Sequence, residues 1–297
     1  MKTQLAFPLA LALGLLMQGA APAQEAPKGP TGAATPFRLG TLELATLRDA
    51  DFAVPNDGKT FGADVGPAEV AKVLTAGGAP TDKIHVSIDA LLVRTAGHVV
   101  VLDTGLGNPA VSGLILSLKL AGVSPDQVTD VLITHTHGDH VGGVATADHK
   151  PAFPNAKIRM SAKEWAWMQS QPGAKTLAAI IAPQVQTFEP GQTVLPGITA
   201  VAIAGHTPGH VGYEVASGRA HLLDIGDTAH SSVISLARPD WVMGFDSDPV
   251  VGKASRRALL TRLAASHELI FSPHFPYPGV GRVVVAGDGF AWQAGLK

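Results

Sequence analysis

Side chains of the types that bind metal ions lie unusually close together in one short segment of the sequence. Within six positions, directly after an apolar stretch, the chain carries four of them: His135, His137, Asp139 and His140. In an extended chain residues two apart face the same way, so His135 and His137 can bind one ion together. Gly138 lets the backbone turn and offers the next two side chains to a neighbouring position. The spacing predicts a metal site, and a cluster of exposed histidines without metal is the alternative.

One loop cannot complete two coordination spheres, so further ligands must come from distant parts of the chain. The sequence has no cysteine, which excludes disulfides and thiolate nucleophiles and leaves His, Asp and Glu as ligands. Three candidates each come just after a predicted strand: His206, Asp227 and His274. The pattern therefore predicts that strand ends from both halves of the chain meet at one site.

Composition and charge limit the classes of protein that remain. The 297 residues are 46% hydrophobic and 15% charged, which indicates a well-buried globular chain rather than a disordered one. The 22 Lys and Arg against 24 Asp and Glu give a net charge of -2. Without a basic excess, a nucleic-acid partner is disfavoured. Because composition does not shift after residue 37, we expect a single domain over residues 37–297.

The N-terminus reads as an export signal. Residues 1–23 combine Lys2, an apolar stretch over residues 5–17 and a small-x-small cleavage site at Ala21 and Ala23. Pro8 and Gly14 interrupt an apolar stretch that is already short for a membrane span. We therefore predict a cleaved signal peptide, a secreted or periplasmic protein and no stable membrane anchor. Residues 24–36, rich in Pro, Gly and Ala, predict a flexible leader.

The remaining elements predict an α/β protein in which strands alternate with helices in two similar halves. Residues 49–66 contain many chain-breaking residues and predict a long loop that exposes Phe52 and Phe61. The clearest helix spans residues 249–267, where the periodicity places Arg256 and Arg257 on the solvent side.

Some polar residues near the predicted ligands allow two interpretations. Asp103, in an Asp-Thr-Gly turn after a strand, either binds a ligand histidine or caps the turn. We expect His210 to hold the loop around His206 rather than to bind metal. Among the few aromatic residues, Phe52, Phe61 and Tyr277 are the candidates for the rim of a substrate pocket, and core packing is the alternative.

At these residues the chain resembles the metallo-β-lactamase superfamily. Its dinuclear hydrolase branch shares the His-x-His-x-Asp-His signature at residues 135–140, a later Gly-His, a Gly-Asp and a final His. The resemblance implies an αβ/βα sandwich of two mixed sheets flanked by helices. It also implies two divalent metal ions, with zinc as the default and manganese, cobalt or iron as alternatives. One ion would take His135, His137 and His206. The other would take Asp139, His140 and His274, with Asp227 bridging both.

Within the superfamily the resemblance is strongest to exported methyl parathion hydrolase-like and lactonase-like enzymes. It rests on the Gly-His-Thr-Pro-Gly-His segment at 205–210, on residues 246–248 before the long helix, and on residues 272–279. N-acyl-homoserine lactonases usually have a Tyr three residues after the bridging Asp, and here that position is His230. Either His230 replaces it as a donor to substrate, or the protein is not specialised for that substrate. A homodimer is an expectation from the family alone.

The ligand set and the resemblance together predict a hydrolase in which a hydroxide shared by two ions opens lactones or cleaves aryl esters. Phosphotriesters are a further predicted substrate class. Asp139, Asp227 and His230 are the predicted catalytic residues: Asp227 orients the hydroxide and Asp139 takes up its proton. A small-molecule ester or lactone is the expected partner. A β-lactamase of the subclass without a cysteine ligand is one alternative, which Asp227 disfavours. A non-catalytic metal-binding module on the same fold is the other.

Overall fold

The computed structural model describes residues 30–295, and its strands form two sheets of seven strands each. The first sheet follows chain order and consists of β1 (Ala33–Leu39), β2 (Leu42–Pro55), β3 (Lys83–Thr95), β4 (His98–Leu102), β5 (Asp130–Leu132), β6 (Lys157–Ser161) and β7 (Val185–Phe188). Its first four strands are antiparallel neighbours, and β4 to β7 run parallel.

The second sheet holds the C-terminal half of the chain. In chain order it consists of β8 (Thr193–Leu195), β9 (Ile198–Ala202), β10 (Val211–Ser217), β11 (Ala220–Asp224), β12 (Leu269–Phe271), β13 (Val280–Ala286) and β14 (Gly289–Ala294). All its neighbours are antiparallel except β11 and β12, which run parallel. Both sheets are therefore mixed, as predicted.

Within residues 30–295, seven α-helices lie outside the two sheets or connect them. They are α1 (Pro67–Ala76), α2 (Leu114–Leu120), α3 (Gly138–Val141), α4 (Ala162–Ser170), α5 (Lys175–Ile181), α6 (Ile234–Ala237) and α7 (Pro249–Ser266). The longest, α7, begins with Pro249 after the N-cap Asp248, whose carboxylate accepts hydrogen bonds from two backbone N–H groups. It matches the predicted helix over residues 249–267 to within one residue.

The alternation of side chains along the strands builds a core on both faces of each sheet. On β3, Leu91 and Val93 pack between the sheets, whereas Ala90 and Leu92 pack on the opposite face against α2. On the outer face of the second sheet, α7 covers a cluster that includes Leu223. Helices thus flank two facing sheets, and the predicted αβ/βα sandwich is confirmed.

Two boundaries differ from the prediction. The strand β1 begins at Ala33, so residues 33–36 belong to the first sheet and not to a flexible leader. β2 continues to Pro55 because it pairs with β3 as far as Lys83, so residues 49–55 are not loop. The predicted signal peptide at 1–23 and residues 24–29 of the leader lie outside the described residues.

One face of α7 was predicted wrongly. Arg256 is only 1% exposed, whereas Val250 is 76% exposed. The helix periodicity cannot register that polar backbone groups lie beneath Arg256 and satisfy its guanidinium. Arg257 is exposed as expected and forms an ion pair with Asp240. Between residues 30 and 295, no helix combines the length and the apolar character needed to cross a membrane.

Candidate metal centre

The seven predicted ligands meet at one end of the sandwich, on the segments that follow β5, β9, β11 and β12. Their donor atoms form two groups. Group one consists of His135, His137, His206 and Asp227, and group two consists of Asp139, His140 and His274. Residues separated by more than a hundred positions in the sequence are thus neighbours in space, as the strand-end pattern predicted.

The donor atoms of group one are close together, and three of the four residues are buried while His137 is partly exposed. His206 Nε2 lies 2.8 Å from His137 Nδ1 and 3.1 Å from His135 Nε2. His135 Nε2 and His137 Nδ1 are 3.1 Å apart. Asp227 Oδ2 completes the group at 3.2 Å from His206 Nε2. Four ligand atoms therefore surround one point.

Group two is wider and includes a partly exposed carboxylate. His140 Nε2 and His274 Nε2 are 3.3 Å apart. Asp139 Oδ2 lies 3.8 Å from the first and 3.7 Å from the second, and its side chain is 28% exposed. Burial raises the pKa of Asp139, but the nearby His140 and His274 lower it below its usual value. Asp139 is therefore ionised at neutral pH.

Asp227 touches both groups. Its Oδ2 belongs to group one, and its Oδ1 lies 3.1 Å from His140 Nε2 and 3.0 Å from His274 Nε2 without making a hydrogen bond. Burial alone would raise the pKa of Asp227, but four histidines, beginning with His140, hold it well below the usual range. The two oxygens of one ionised carboxylate therefore link the two groups.

These distances fit a pair of metal ions. Nitrogen ligands about 2.0–2.1 Å from a tetrahedral zinc ion stand about 3.3 Å apart, close to the separations in group one. The first causes of the lowered pKa of His135, to well below 6.5, are burial and the neighbouring His140. Divalent ions need neutral imidazoles and ionised carboxylates. Burial lowers the pKa of His140, His206 and His274 as well, but Asp227 raises it above its usual value, so ions that bind to these rings must displace protons. The described residues thus fit a dinuclear site.

Hydrogen bonds behind the ligands fix which ring nitrogens face the centre. Asp103 Oδ2 accepts from His140 Nδ1 at 2.8 Å, and Thr134 also donates to this carboxylate. Asp103 therefore binds a ligand histidine, one of the two readings that the sequence left open. His274 Nδ1 donates to the Ser87 carbonyl at 2.7 Å. Both rings thus present Nε2 to the centre.

His210 does not enter either group, as expected, but it holds more than its own loop. Its Nδ1 donates to the Ile203 carbonyl at 2.8 Å, and its Nε2 accepts from the backbone N–H of Asp227 at 3.0 Å. Burial, followed by the nearby His206, lowers the pKa of His210 to about 3. A neutral His210 therefore fixes the position of the shared carboxylate.

Glu164 is a functional neighbour that the sequence analysis missed. It is fully buried at the start of α4, and Oε1 accepts from the backbone N–H and hydroxyl of Thr136 at 2.7 and 2.8 Å. Oε2 accepts from the Thr207 hydroxyl at 2.7 Å and from the Gly209 N–H at 3.0 Å. One carboxylate thus joins the loop of His135 and His137 to the loop of His206.

The Ser161-x-x-Glu164 spacing was the available signal for this residue. It is the pattern of a helix capping box, and Ser161 does accept a hydrogen bond from Glu164 N. The Glu side chain, however, turns toward the two ligand loops instead of back to the cap. Sequence spacing locates the helix start but cannot show which distant loops face it.

His230 lies beside both groups. Its ring stacks on His274 with centroids 5.6 Å apart, and its Nε2 lies 3.2 Å from Asp227 Oδ2. Neither ring nitrogen has a hydrogen-bond partner among the described residues, although the side chain is 3% exposed. Burial lowers the pKa of His230 to about 4, and Asp227 opposes this shift. A neutral, buried imidazole is therefore available at the centre.

Two aromatic residues near the centre, Phe245 and Trp167, were not among those predicted for its rim. Phe61 was predicted to be exposed, which is wrong: it is 2% exposed because it packs in a cluster with Met243 and α1. Above it, edge to face at 6.2 Å, lies Phe245, which is 42% exposed and also contacts the ring of His230 at 5.0 Å. Trp167, on α4, has its ring centroid 5.7 Å from that of His137.

The other two predicted rim residues lie on or against the first sheet. Phe52 is part of β2 and 37% exposed. Tyr277 is half-buried, and its hydroxyl accepts from Thr35 Oγ1 at 2.8 Å and donates to the Thr46 carbonyl at 3.3 Å. Their role in a pocket stays a prediction.

Comparison with known proteins gives one family. The model of the metallo-beta-lactamase superfamily matches residues 85–274, more than half of the chain. A solved structure of AidC, a dizinc quorum-quenching lactonase in complex with a product, N-hexanoyl-L-homoserine, is similar. It has 29% sequence identity and a TM-score of 0.85, and the match covers 90% of this chain and 99% of AidC. The hydrolase AbOPH of the beta-lactamase superfamily has 25% identity, a TM-score of 0.81 and the same two coverages.

Curated relatives match over shorter stretches. Hydroxyacylglutathione hydrolase of Yersinia pestis is 32% identical over 124 residues, 41% of this chain and 41% of that protein. The uncharacterized protein YobT of Bacillus subtilis is 27% identical over 137 residues, 42% of this chain and 56% of YobT. The chain thus spans little more than half of these relatives at most. Together, the site and its neighbours support a metal-dependent hydrolase with a dinuclear centre, and the chain belongs to the metallo-beta-lactamase superfamily.

Proposed function

We propose that the protein hydrolyses lactones or aryl esters at a dizinc centre, with phosphotriesters as a further substrate class. The observation that carries the proposal is Asp227, a single buried carboxylate whose two oxygens each complete a different ligand group. The similarity to AidC, a lactonase, over 90% of this chain supports the lactone class. The similarity to AbOPH supports a hydrolase.

The residues of groups one and two would hold two divalent ions, which would supply Lewis acidity and lower the pKa of a bound water. The residues of the chain then have separate tasks. Asp227, held through its N–H by His210, keeps the two ligand groups in register. Asp139 is ionised and 28% exposed, so it can take up the proton released during hydrolysis. His230 is neutral and its ring nitrogens make no hydrogen bond to any described residue, so a ring N–H can donate a hydrogen bond to the oxygen of the substrate.

Exposed apolar surface beside the centre fits an ester or lactone with an apolar arm. Phe245 rests on the buried Phe61 and presents 42% of its surface next to His230. Trp167, which is half-buried, lies beside His137. Aromatic faces of this kind bind alkyl or aryl groups through their large contact area.

The proposal is tested by following acid release from dihydrocoumarin, an aromatic lactone, in a pH-stat with the zinc-loaded protein. We expect rapid hydrolysis that a chelator abolishes and zinc restores. His137→Asn should remove the activity. The matched control is His221→Asn, because His221 pairs with Glu214 on the exposed surface of the second sheet and should leave the rate unchanged. Full activity in His137→Asn would contradict the proposal.

The same preparation separates the competing classes. Nitrocefin hydrolysis at the rate of an ordinary enzyme, without lactone hydrolysis, would assign a β-lactamase instead. Hydrolysis of methyl paraoxon faster than dihydrocoumarin would make phosphotriesters the main class. Tight binding of two zinc ions without hydrolysis of any ester would support a non-catalytic binding module.

We also propose that the protein is exported, on the strength of the charged, apolar and small-x-small pattern of residues 1–23. Expression of the full chain in a bacterial host should give a periplasmic product whose first residue is Gln24. An intact N-terminus in the cytoplasmic fraction would contradict export. A homodimer stays part of the proposal, and sedimentation of the mature protein tests it.

A further inference from the structure

Arg256 is the most buried cation near the centre, although it touches none of the ligands. It lies in the middle of α7 with a side chain only 1% exposed. A buried guanidinium needs several acceptors to offset the loss of its hydration. Arg256 finds these acceptors on two separate loops. One loop contains the ligand Asp227, and the other contains Asp246, which accepts a hydrogen bond from the ligand His206.

The first loop follows β11 and contains Asp227. Arg256 Nε donates to the carbonyl of Thr228, the residue after the shared carboxylate, at 2.8 Å. The second loop connects α6 with α7. There Arg256 Nη1 donates to the carbonyls of Pro239 at 2.9 Å and Trp241 at 3.1 Å.

The second loop also carries the link to a ligand. Arg256 Nη2 donates to Asp246 Oδ2 at 2.6 Å, and Asp246 Oδ1 accepts from His206 Nδ1 at 3.2 Å. The carboxylate thereby selects the tautomer in which His206 Nε2 faces group one. The backbone reinforces this arrangement, because Ser247 N and Asp248 N donate to the carbonyls of His206 at 2.9 Å and Gly205 at 3.0 Å.

The start of α7 fits closely against the His206 loop. Gly205 has φ of 120°, and a Cβ added there would lie 2.3 Å from the backbone nitrogen of Gly252. A Cβ on Gly252 would in turn lie 2.7 Å from Asp246 Oδ2. Because Gly205 and Gly252 have no Cβ, α7, Asp246 and the His206 loop can approach this closely. The close fit leaves the ion pair little freedom to rearrange.

We infer that the buried Arg256–Asp246 pair is a positioning device for the ion of group one, which fixes His206 through Asp246 and ties its loop to the loop of Asp227. The inference rests on the proposed dizinc centre. It assigns no such role in group two, where Asp103 and the Ser87 carbonyl orient the ligands. Loss of the pair should therefore weaken one zinc ion and spare the other.

The first experiment measures zinc binding to Arg256→Lys by competition with a chromophoric chelator. A lysine keeps the charge but cannot reach four acceptors on two loops. We expect one of the two dissociation constants to rise by about 10- to 100-fold, the usual effect of removing a support behind a metal ligand. The neighbouring Arg257→Lys is the matched control, because Arg257 is exposed and pairs only with Asp240 on the surface. It should bind both ions like the wild type.

Anomalous diffraction from crystals of the variant grown with two equivalents of zinc should then show reduced occupancy in group one only. Equal affinities for both ions in Arg256→Lys and the wild type would overturn the inference, as would a selective loss in group two.

If Arg256→Lys does not fold, Asp246→Asn gives the decision, because it leaves the three carbonyl contacts of Arg256 in place. The expected result is the same selective loss, and unchanged affinity would overturn the inference. A wild-type protein that binds two zinc ions without hydrolysing any ester would reject the proposed function alone. A wild-type protein that binds no zinc would reject both.

Discussion

The two ligand groups of the centre are built from similar residues but differ in the spacing of their donor atoms and in their exposure to solvent. In group one the three ring nitrogens lie between 2.8 and 3.1 Å apart, and His135 is fully buried. In group two Asp139 stands 3.7 to 3.8 Å from the histidine nitrogens, and its side chain is 28% exposed. Group two is therefore open to solvent at Asp139, whereas in group one His137 is the partly exposed residue and the other three are buried.

The supports behind the groups differ as well. Glu164 and the Arg256–Asp246 pair hold the loops of group one through buried charged groups. Group two depends on Asp103 and on one backbone carbonyl. From this difference we expect group one to retain an ion more tightly than group two.

The largest effect should follow from removing what the two groups share. Asp227→Asn replaces an oxygen ligand by an amide N–H₂ group, which cannot bind a cation. We expect the rate of lactone hydrolysis to fall by more than the roughly 100-fold typical of an indirect support. Metal analysis should show fewer than two zinc ions. Asp148→Asn, at an exposed ion pair with Lys150, is the control. An Asp227→Asn variant that still binds two zinc ions tightly would show that Asp227 does not link the two groups.

Removal of metal should distinguish the groups next. Titration of the zinc-loaded protein with a chelator should release the ion of group two first, because Asp139 is partly exposed and lies farther from its partners. The activity should be lost with the first equivalent released. Simultaneous release of both ions, measured by metal analysis after gel filtration, would show that the two groups do not differ in affinity.

Asp103→Asn tests the support behind group two. The amide can still accept one bond, but it loses the charge that orients His140 and Thr134. We expect about a 10- to 100-fold loss in kcat/KM, with weaker binding of one zinc ion. The affected ion should be the one that Arg256→Lys spares. If both variants weaken the same ion, the supports are not separate.

Glu164→Gln should destabilise the fold. All four bonds to this carboxylate come from N–H or O–H donors, so the amide N–H₂ of Gln must face two donors of one loop. A buried group left without a partner costs about 1–3 kcal/mol, so the free energy of unfolding in urea should fall by this amount. Glu214→Gln, at a more exposed carboxylate paired with His221, should change it by less than about 0.5 kcal/mol.

The smallest effect concerns pH and lies outside both groups. Burial raises the pKa of Asp89 well above its usual value, although Ser87 and Arg48 oppose the shift. Between the unfolded and the folded pKa the native state holds more protons, so its free energy of unfolding decreases as pH rises through that window. Asp89→Asn removes this dependence and should gain stability relative to the wild type as pH rises. Parallel pH profiles in urea unfolding would contradict the assignment.

Local patterns predicted an α/β protein and the seven clustered side chains, and the resemblance to the superfamily supplied the αβ/βα sandwich. A strand that ends in a polar side chain is visible in the alternation of residues, as in the segment before His135. Helix α7 was likewise predicted from its periodicity, and in the structure Pro249 after the N-cap Asp248 marks its start. Where a pattern lies within a few residues, the physics that produces it is also local.

The errors concern residues whose environment depends on distant segments. Arg256 appeared solvent-exposed because nothing nearby in the sequence reveals the carbonyls of Thr228 and Pro239 beneath it. Phe61 appeared exposed because the segment around Met243 that buries it comes nearly two hundred residues later. Tertiary packing decides such positions, and helix or loop patterns carry no record of it.

The most direct test is a zinc titration of the metal-free protein in which bound zinc and hydrolysis of dihydrocoumarin are measured on the same samples. We predict that the first equivalent fills group one and gives little activity. The rate should rise steeply with the second equivalent and stay constant when more zinc is added. Full activity at one equivalent would contradict a shared dinuclear centre. No hydrolysis at two equivalents would contradict the proposed function.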